Sequence, residues 1–288
     1  MTQATPDAAD VQRIAAFSDG AQGGNPAGVW IGDALPPDAA MQRIAHEIGY
    51  SETAFAAPLG KGWRVRYFSP ESEVPFCGHA TIALGAALAA SHGDGVYALS
   101  LNDAAITVEG RRTIGPDGTL LTSAALQSPP TRSARAPEDV VERALALFGY
   151  GAIDLDPRIP PALAHGGAGH LVLALRSRSL LAAMRYELAA GRRFMRELGI
   201  VTVVLAWAET DTLFHTRNPF AAGGVYEDPA TGAGTAALAG YLRDLDWPHG
   251  GAIDIVQGED MGMRSRLRAE IGVEHGGSIR VSGTARSM

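Results

Sequence analysis

The sequence predicts an α+β protein of two similar domains, each with a sheet wrapped around one central helix. Three observations lead there. A twelve-residue stretch of small and apolar residues occurs twice, a proline-rich polar segment lies between the copies, and the rest reads mostly as short strands. With 288 residues the chain is long enough for two domains with real hydrophobic cores.

The repeat is CGHATIALGAAL (77–88) over TGAGTAALAGYL (231–242), offset by 154 residues with five of twelve positions identical. Gly78 matches Gly232, Thr81 matches Thr235, Ala83 matches Ala237, Leu84 matches Leu238 and Leu88 matches Leu242. Each copy follows a proline-marked turn, SPESEVPF or VYEDPA, and each is about a dozen residues of small and apolar side chains, long enough for a helix buried on most sides. SPPTRSARAPE (128–138) reads as the linker.

Strands are predicted at WRVRYF (63–68), VYALSL (96–101), AAITVEG (104–110), HLVLALR (170–176), IVTVVLAW (200–207), LFHTR (213–217), AIDIV (252–256) and SIRVSG (278–283). All are short, rich in β-branched or aromatic residues and bounded by turn formers. Amphipathic helices are predicted at PPDAAMQRIAHEIG, with Met41, Ile44, Ala45 and Ile48 on one face and Gly49 as the stop, at APEDVVERALALFG, and around 178–198.

Composition removes several function classes. Hydrophobic residues are 46% and charged residues 19%, an ordinary globular balance. Net charge is −7 and no basic stripe could follow a phosphate backbone, so no nucleic-acid partner is expected. Lys61, the single lysine, sits in a GKG turn and leaves little for Schiff-base chemistry. The first residues, MTQATPDAADVQRIAAF, show neither a leader pattern nor a membrane span, so a cytoplasmic protein away from membranes is expected. One cysteine permits no internal disulfide and no multi-thiolate metal site.

Candidate chemistry gathers around the two repeats. Gly78 and Gly232 fall in the first helical turns, where backbone N–H groups lack intrahelical partners and the helix dipole favours an anion, although simple capping would also use glycine there. Cys77 at such a terminus has its thiolate favoured, but a buried cysteine also fills cores, and its repeat partner is Thr231. A reaction that needs two opposed thiols therefore lacks one. Glu52 lies in the apolar stretch GYSETAFAAP, where burial would raise its pKa towards a general base's range. Asp228 in YEDPATG is either a functional carboxylate or the start of a turn, and His79 is either functional or a satisfied core histidine. No P-loop, dinucleotide fingerprint or HExxH is present, and neither metal nor organic cofactor is expected.

FSDGAQGGNPAGV (17–29), YSETAF (50–55), PFCGHAT (75–81), EDPATG (227–232), VQG (256–258) and RVSG (280–283) together resemble the phenazine-biosynthesis PhzF-like isomerase family, within the diaminopimelate epimerase-like fold. The matches are spread in family order over nearly the whole chain. The resemblance implies a strongly bent, mostly antiparallel sheet or half-barrel around each central helix, with domains at 1–127 and 128–276 and a last strand, 277–288, returning to the first. It implies a cofactor-independent proton shift on a small carboxylic acid bound in the interdomain cleft, and a homodimer. Glu52 matches the catalytic glutamate, with His79 and Asp228 as its polar partners. Gly78 and Gly232 match the glycines near the substrate carboxylate, with Cys77, Ala80, Thr231 and Ala233 beside them. Ala233 stands where many relatives have serine, and Gly262-Met263-Arg264-Ser265 departs from the family's Gly-Arg-Pro-Ser; both point to an acid other than the phenazine precursor. A thiol-dependent racemase or hydrolase using Cys77, or a non-catalytic carboxylate-binding protein, are the competing readings.

Overall fold

In a computed structural model of the protein, residues 7–114, 118 and 120–288 are described. The expectation that no leader begins the chain rests partly on residues 1–6, outside that set. The chain divides into two compact units: the first ends at Leu126 and takes back Ser282–Met288, and the second is Gln127–Val281.

Along the first unit run β1 (Gln12–Ala16), β2 (Asn25–Ile31), α1 (Asp38–Ile48), β3 (Thr53–Leu59), β4 (Gly62–Phe68), the two-residue β5 (Glu73–Val74), α2 (Gly78–His92), β6 (Gly95–Ser100), β7 (Ala105–Ile114) and β8 (Leu120–Gln127). The second unit contains β9 (Arg132–Arg135), α3 (Glu138–Phe148), β10 (Ala162–His165), β11 (Gly169–Ala174), α4 (Arg178–Ala182), α5 (Leu188–Leu198), β12 (Thr202–Ala208), β13 (Leu213–Pro219), β14 (Glu227–Asp228), α6 (Gly232–Asp244), β15 (Ala252–Gln257) and β16 (Ser265–Ile271). The last strand, β17 (Ile279–Ser287), gives its end to the first unit.

In the first unit the sheet closes on itself. The pairs β1–β2, β3–β4, β6–β7, β7–β8 and β17–β1 are antiparallel, β2–β3 and β4–β6 are parallel, and β8 pairs β17. Parallel neighbours cannot be joined by a tight hairpin, so a helix crosses between them: α1 joins β2 to β3, and α2 lies between β4 and β6. Met41, Ile44 and Ala45 of α1 pack on Trp30, Phe55 and Phe68 outside the sheet. Gly49 ends α1 in the left-handed conformation, φ 71°, as the stop signal predicts.

Inside the ring runs α2, buried from His79 to Ala89. Its glycine and alanine content sets how tightly the sheet can wrap. A Cβ on Gly110 of β7 would come within 2.3 Å of the Gly85 carbonyl, and one on Gly85 within 2.6 Å of Val108. Helix and strand backbones meet where neither residue carries a side chain.

The second unit repeats this order. Where the first has β1, β2, α1, β3, β4, β5, α2, β6, β7, the second has β10, β11, α4 with α5, β12, β13, β14, α6, β15, β16. The strand senses repeat too: β11–β12 and β13–β15 are parallel, while β10–β11, β12–β13 and β15–β16 are antiparallel. Small residues again admit the central helix, since a Cβ on Gly166 would reach within 2.5 Å of the Ala237 nitrogen and one on Gly240 within 2.5 Å of Thr131. The fold is thus the α+β duplication that the repeat predicts. One local difference concerns the linker: Arg132–Arg135 forms β9 against β10, because the segment supplies the missing edge partner of that strand.

The glycine-rich FSDGAQGGNPAG is a turn into β2, with an Asp19–Gln22 bridge and Phe17 at φ 60°. Among the described residues no helix is long and apolar enough to cross a membrane.

Candidate active site

Glu52 ends the loop before β3, and its carbonyl accepts a hydrogen bond from Gly28 N–H of β2 at 3.2 Å. This fixes its backbone. Its side chain, 17% exposed, brings Oε2 to 3.5 Å from His79 Nε2. Ser51 Oγ stands 3.4 Å from the same ring nitrogen. The other ring nitrogen, Nδ1, lies 3.3 Å from Cys77 Sγ.

Thiol and carboxylate therefore gather around one imidazole ring. Their donor atoms lie within 4.8 Å of one another, a grouping that could hold a metal ion.

The cluster sits at the N terminus of α2. Cys77 is its extended N-cap, φ −143° and ψ 118°, and makes no side-chain capping bond. Backbone N–H groups of the first turn thus keep their attraction for an anion, and a Cβ added to Gly78 would meet nothing within 4 Å. Ala80 is fully buried, so only its backbone belongs to this end of the helix. The N-cap is held from below. Thr81 Oγ1 donates to the Cys77 carbonyl at 2.7 Å, so the Tyr67 hydroxyl, 2.6 Å from Thr81, must donate to it. Burial pushes the Tyr67 phenol upward, and it remains a neutral donor.

In the second unit, Asp228 ends β14 opposite Asn218 of β13. Thr231 is the N-cap of α6, again without a side-chain capping bond. Its hydroxyl turns back to Asp228 Oδ2 at 2.6 Å. Gly232 opens the helix, and Ala233, next along, is partly exposed. The preceding Glu227 is buried and paired with Arg217 through contacts of 3.0 and 2.5 Å.

The structure thus brings Glu52, Cys77, Gly78, His79 and Ala80 together in one unit, and Asp228, Thr231, Gly232 and Ala233 together in the other. Sequence reasoning missed Ser51, Tyr67 and Gln257. Ser51 adjoins Glu52 and Gln257 lies in the VQG match, but neither residue type signals chemistry by itself. Tyr67 is a strand residue whose role depends on a helix it touches in space.

The solved structures that share this fold, a central helix inside a bent sheet repeated within one chain, include proteins described as racemases and epimerases. A protein of Agrobacterium radiobacter described as a probable proline racemase shares the fold, with TM-score 0.60, 13% identity, and coverage of 96% of this chain and 90% of that one. The narrower likeness is to phenazine biosynthesis proteins. The profile of the phenazine biosynthesis-like protein family, PhzC-PhzF, matches residues 14–288. A PhzF-family structure from Bacillus anthracis superposes with TM-score 0.82 at 21% identity over 96% of both chains. An uncharacterized isomerase of Deinococcus radiodurans is 33% identical over 80% of this chain and 74% of its own. A trans-2,3-dihydro-3-hydroxyanthranilate isomerase of Pseudomonas fluorescens is 29% identical over 94% of both. The chain belongs to the PhzC-PhzF family, and it is an isomerase.

Proposed function

We propose that this isomerase moves a proton between carbons of a small carboxylic acid without a cofactor, with Glu52 as the general acid/base. The observation that carries this is Glu52 Oε2 within 3.5 Å of His79 Nε2 beside the first turn of α2. The helix terminus attracts the substrate carboxylate. The Glu52 carboxylate takes a proton from carbon, and the C–H electron pair becomes delocalised into the adjoining unsaturation. The proton then returns to another carbon on the same face, directly or through His79. Asp228 is assigned a second proton-handling role. Gly78, Gly232, Ala80, Thr231 and Ala233 are assigned to binding through their backbone.

The Pseudomonas fluorescens relative makes a cyclic amino acid with a ring hydroxyl the first compound to test. The alanine at 233 and the Gly-Met-Arg-Ser stretch at 262–265 support an acid that differs from it in the groups these positions would meet.

Proton NMR in deuterium oxide on wild type and Glu52→Gln, across cyclic and acyclic carboxylic acids, tests the reading. Deuterium should enter carbon only with wild type. Binding of the acids by calorimetry with no Glu52-dependent exchange would instead support a carboxylate-binding protein.

The Cys77–His79 contact supports a second reading, a thiol-dependent epimerase or hydrolase. Against it, a mechanism that works with two opposed thiols lacks its second member, since the chain has one cysteine. Rapid inactivation by a thiol alkylator, with protection by substrate, would favour this reading. We also propose a cytoplasmic homodimer, whose mass light scattering measures.

A further inference from the structure

Gln257, the last residue of β15, is 1% exposed and makes three hydrogen bonds to the loop that carries Asp228. Its Oε1 accepts from Thr231 N–H at 3.1 Å. Its Nε2 donates to the Asp228 carbonyl at 2.7 Å and to Thr231 Oγ1 at 2.9 Å. A backbone N–H can only donate and a backbone carbonyl can only accept, so the amide has one orientation. Nε2 then occupies Thr231 Oγ1 as a donor, and the hydroxyl's own proton goes to Asp228 Oδ2 at 2.6 Å. That length is typical of an O–H to carboxylate bond.

The next residue reinforces the clasp. Gly258 has φ 72°, and a Cβ there would lie 2.8 Å from the Pro229 carbonyl and 2.5 Å from that of Met263. The Gln-Gly turn is thus seated directly against the Asp228–Thr231 loop, while Asn218 pairs with Asp228 on β13. Backbone fixes amide, amide fixes hydroxyl, and hydroxyl fixes carboxylate.

We infer that Gln257, acting through the Thr231 hydroxyl, is a positioning residue that holds Asp228 in one rotamer as the ionised carboxylate. The inference rests on the reading above in assigning Asp228 to proton transfer, but the clasp itself is testable without substrate. It also changes the expected part of Thr231: the hydroxyl serves Asp228, and only the backbone is left for substrate.

The first arm is a carbon-13 NMR titration of protein enriched at aspartate Cγ, with the Asp228 signal identified by its loss in Asp228→Asn. Thr231→Val removes the donor and should raise the pH at which Asp228 titrates by about one unit. Thr231→Ser should restore it, and Gln257→Met should move it in the same direction as valine. The charged neighbours in sequence and strand order, Glu227, Arg217, Glu259 and Asp260, are unchanged in all these variants. Near-ultraviolet circular dichroism checks folding, and Gln257→Leu, which removes the donor without adding a charge, replaces the methionine variant if that one unfolds. An Asp228 signal that titrates alike in wild type, Thr231→Val and Thr231→Ser overturns the clasp.

The second arm is turnover of trans-2,3-dihydro-3-hydroxyanthranilate, or of whichever acid exchanges deuterium. kcat should fall at least about tenfold in Thr231→Val with KM little changed, and recover in Thr231→Ser. Moved titration with unchanged kcat in every variant overturns Asp228's place in the chemistry while leaving Glu52's assignment standing.

Discussion

Glu52 Oε2 and His79 Nε2 lie 3.5 Å apart, while the other nitrogen of the same ring lies 3.3 Å from Cys77 Sγ. Carboxylate and thiol each touch the ring, and single substitutions assay them one at a time. Glu52→Gln should lower turnover by at least about 100-fold, the usual contribution of a positioned acid/base. Cys77→Ala should cost less than about tenfold. Equal losses in steady-state assays would sink the division of labour.

Gly78 and Gly110 make opposite predictions about one methyl group. At Gly78 a Cβ meets nothing within 4 Å, so Gly78→Ala should leave urea-denaturation stability within about 0.5 kcal/mol of wild type. Yet the methyl stands at the mouth of α2, and KM should rise about tenfold, equivalent to about 1.4 kcal/mol of lost carboxylate binding. At Gly110 the Cβ would press on the Gly85 carbonyl, and Gly110→Ala should destabilise the first unit by about 1–3 kcal/mol. An unchanged KM in Gly78→Ala would remove the helix terminus from substrate binding.

His170 carries a pH dependence of stability in the second unit. Its Nδ1 lies 2.8 Å from Thr202 Oγ1, and burial pushes its pKa down to about 3, against 6.5 when exposed. The unfolded chain therefore binds a proton below pH 6.5 that the folded chain refuses until about pH 3. The stability due to neutral His170 is whole above pH 6.5 and drains away as pH falls towards 3. Between pH 7.5 and 5.0 the loss is about 2 kcal/mol. Denaturant melts of His170→Gln at the two pH values should show a difference smaller by about that amount, and an unaltered difference would refute the assignment.

Arg217 and Glu227 are a buried pair, with side chains 9% and 3% exposed. Glu227→Gln keeps the shape but removes the nearer of Arg217's counter-charges, leaving Asp260 at 3.9 Å. It should cost about 3–5 kcal/mol in equilibrium unfolding. The double change Arg217→Met with Glu227→Leu should cost less than either single change, since no buried charge is left unmatched. Additive losses would show that the pair is not coupled.

Much of the architecture was legible because burial leaves its period in the chain. The two central helices carry no polar face, since sheet surrounds them, and their shared residues at 78 and 232, 81 and 235, and 84 and 238 reveal the duplication. Helix α1 was readable from Met41, Ile44 and Ala45 and from its Gly49 stop. Strands β9 and β10 were not: RSAR and ALAH are four residues each with no β-branched side chain, and only pairing with neighbours makes them strands. The span around 178–198 broke into α4 and α5, since Arg185 to Glu187 must turn the chain between them.

By itself the sequence determined the duplication, the central helices and the residue types with acid/base chemistry, because these depend on local pattern and on the identity of single side chains. Tertiary structure decided which of those groups meet. That Glu52 and Cys77 meet at the His79 ring, and that Gln257 orients Thr231 towards Asp228, follows from contacts between residues 26 to 29 positions apart or set by one ring's rotamer. Chain closure around a buried helix sets such distances, and no periodicity in the sequence records them.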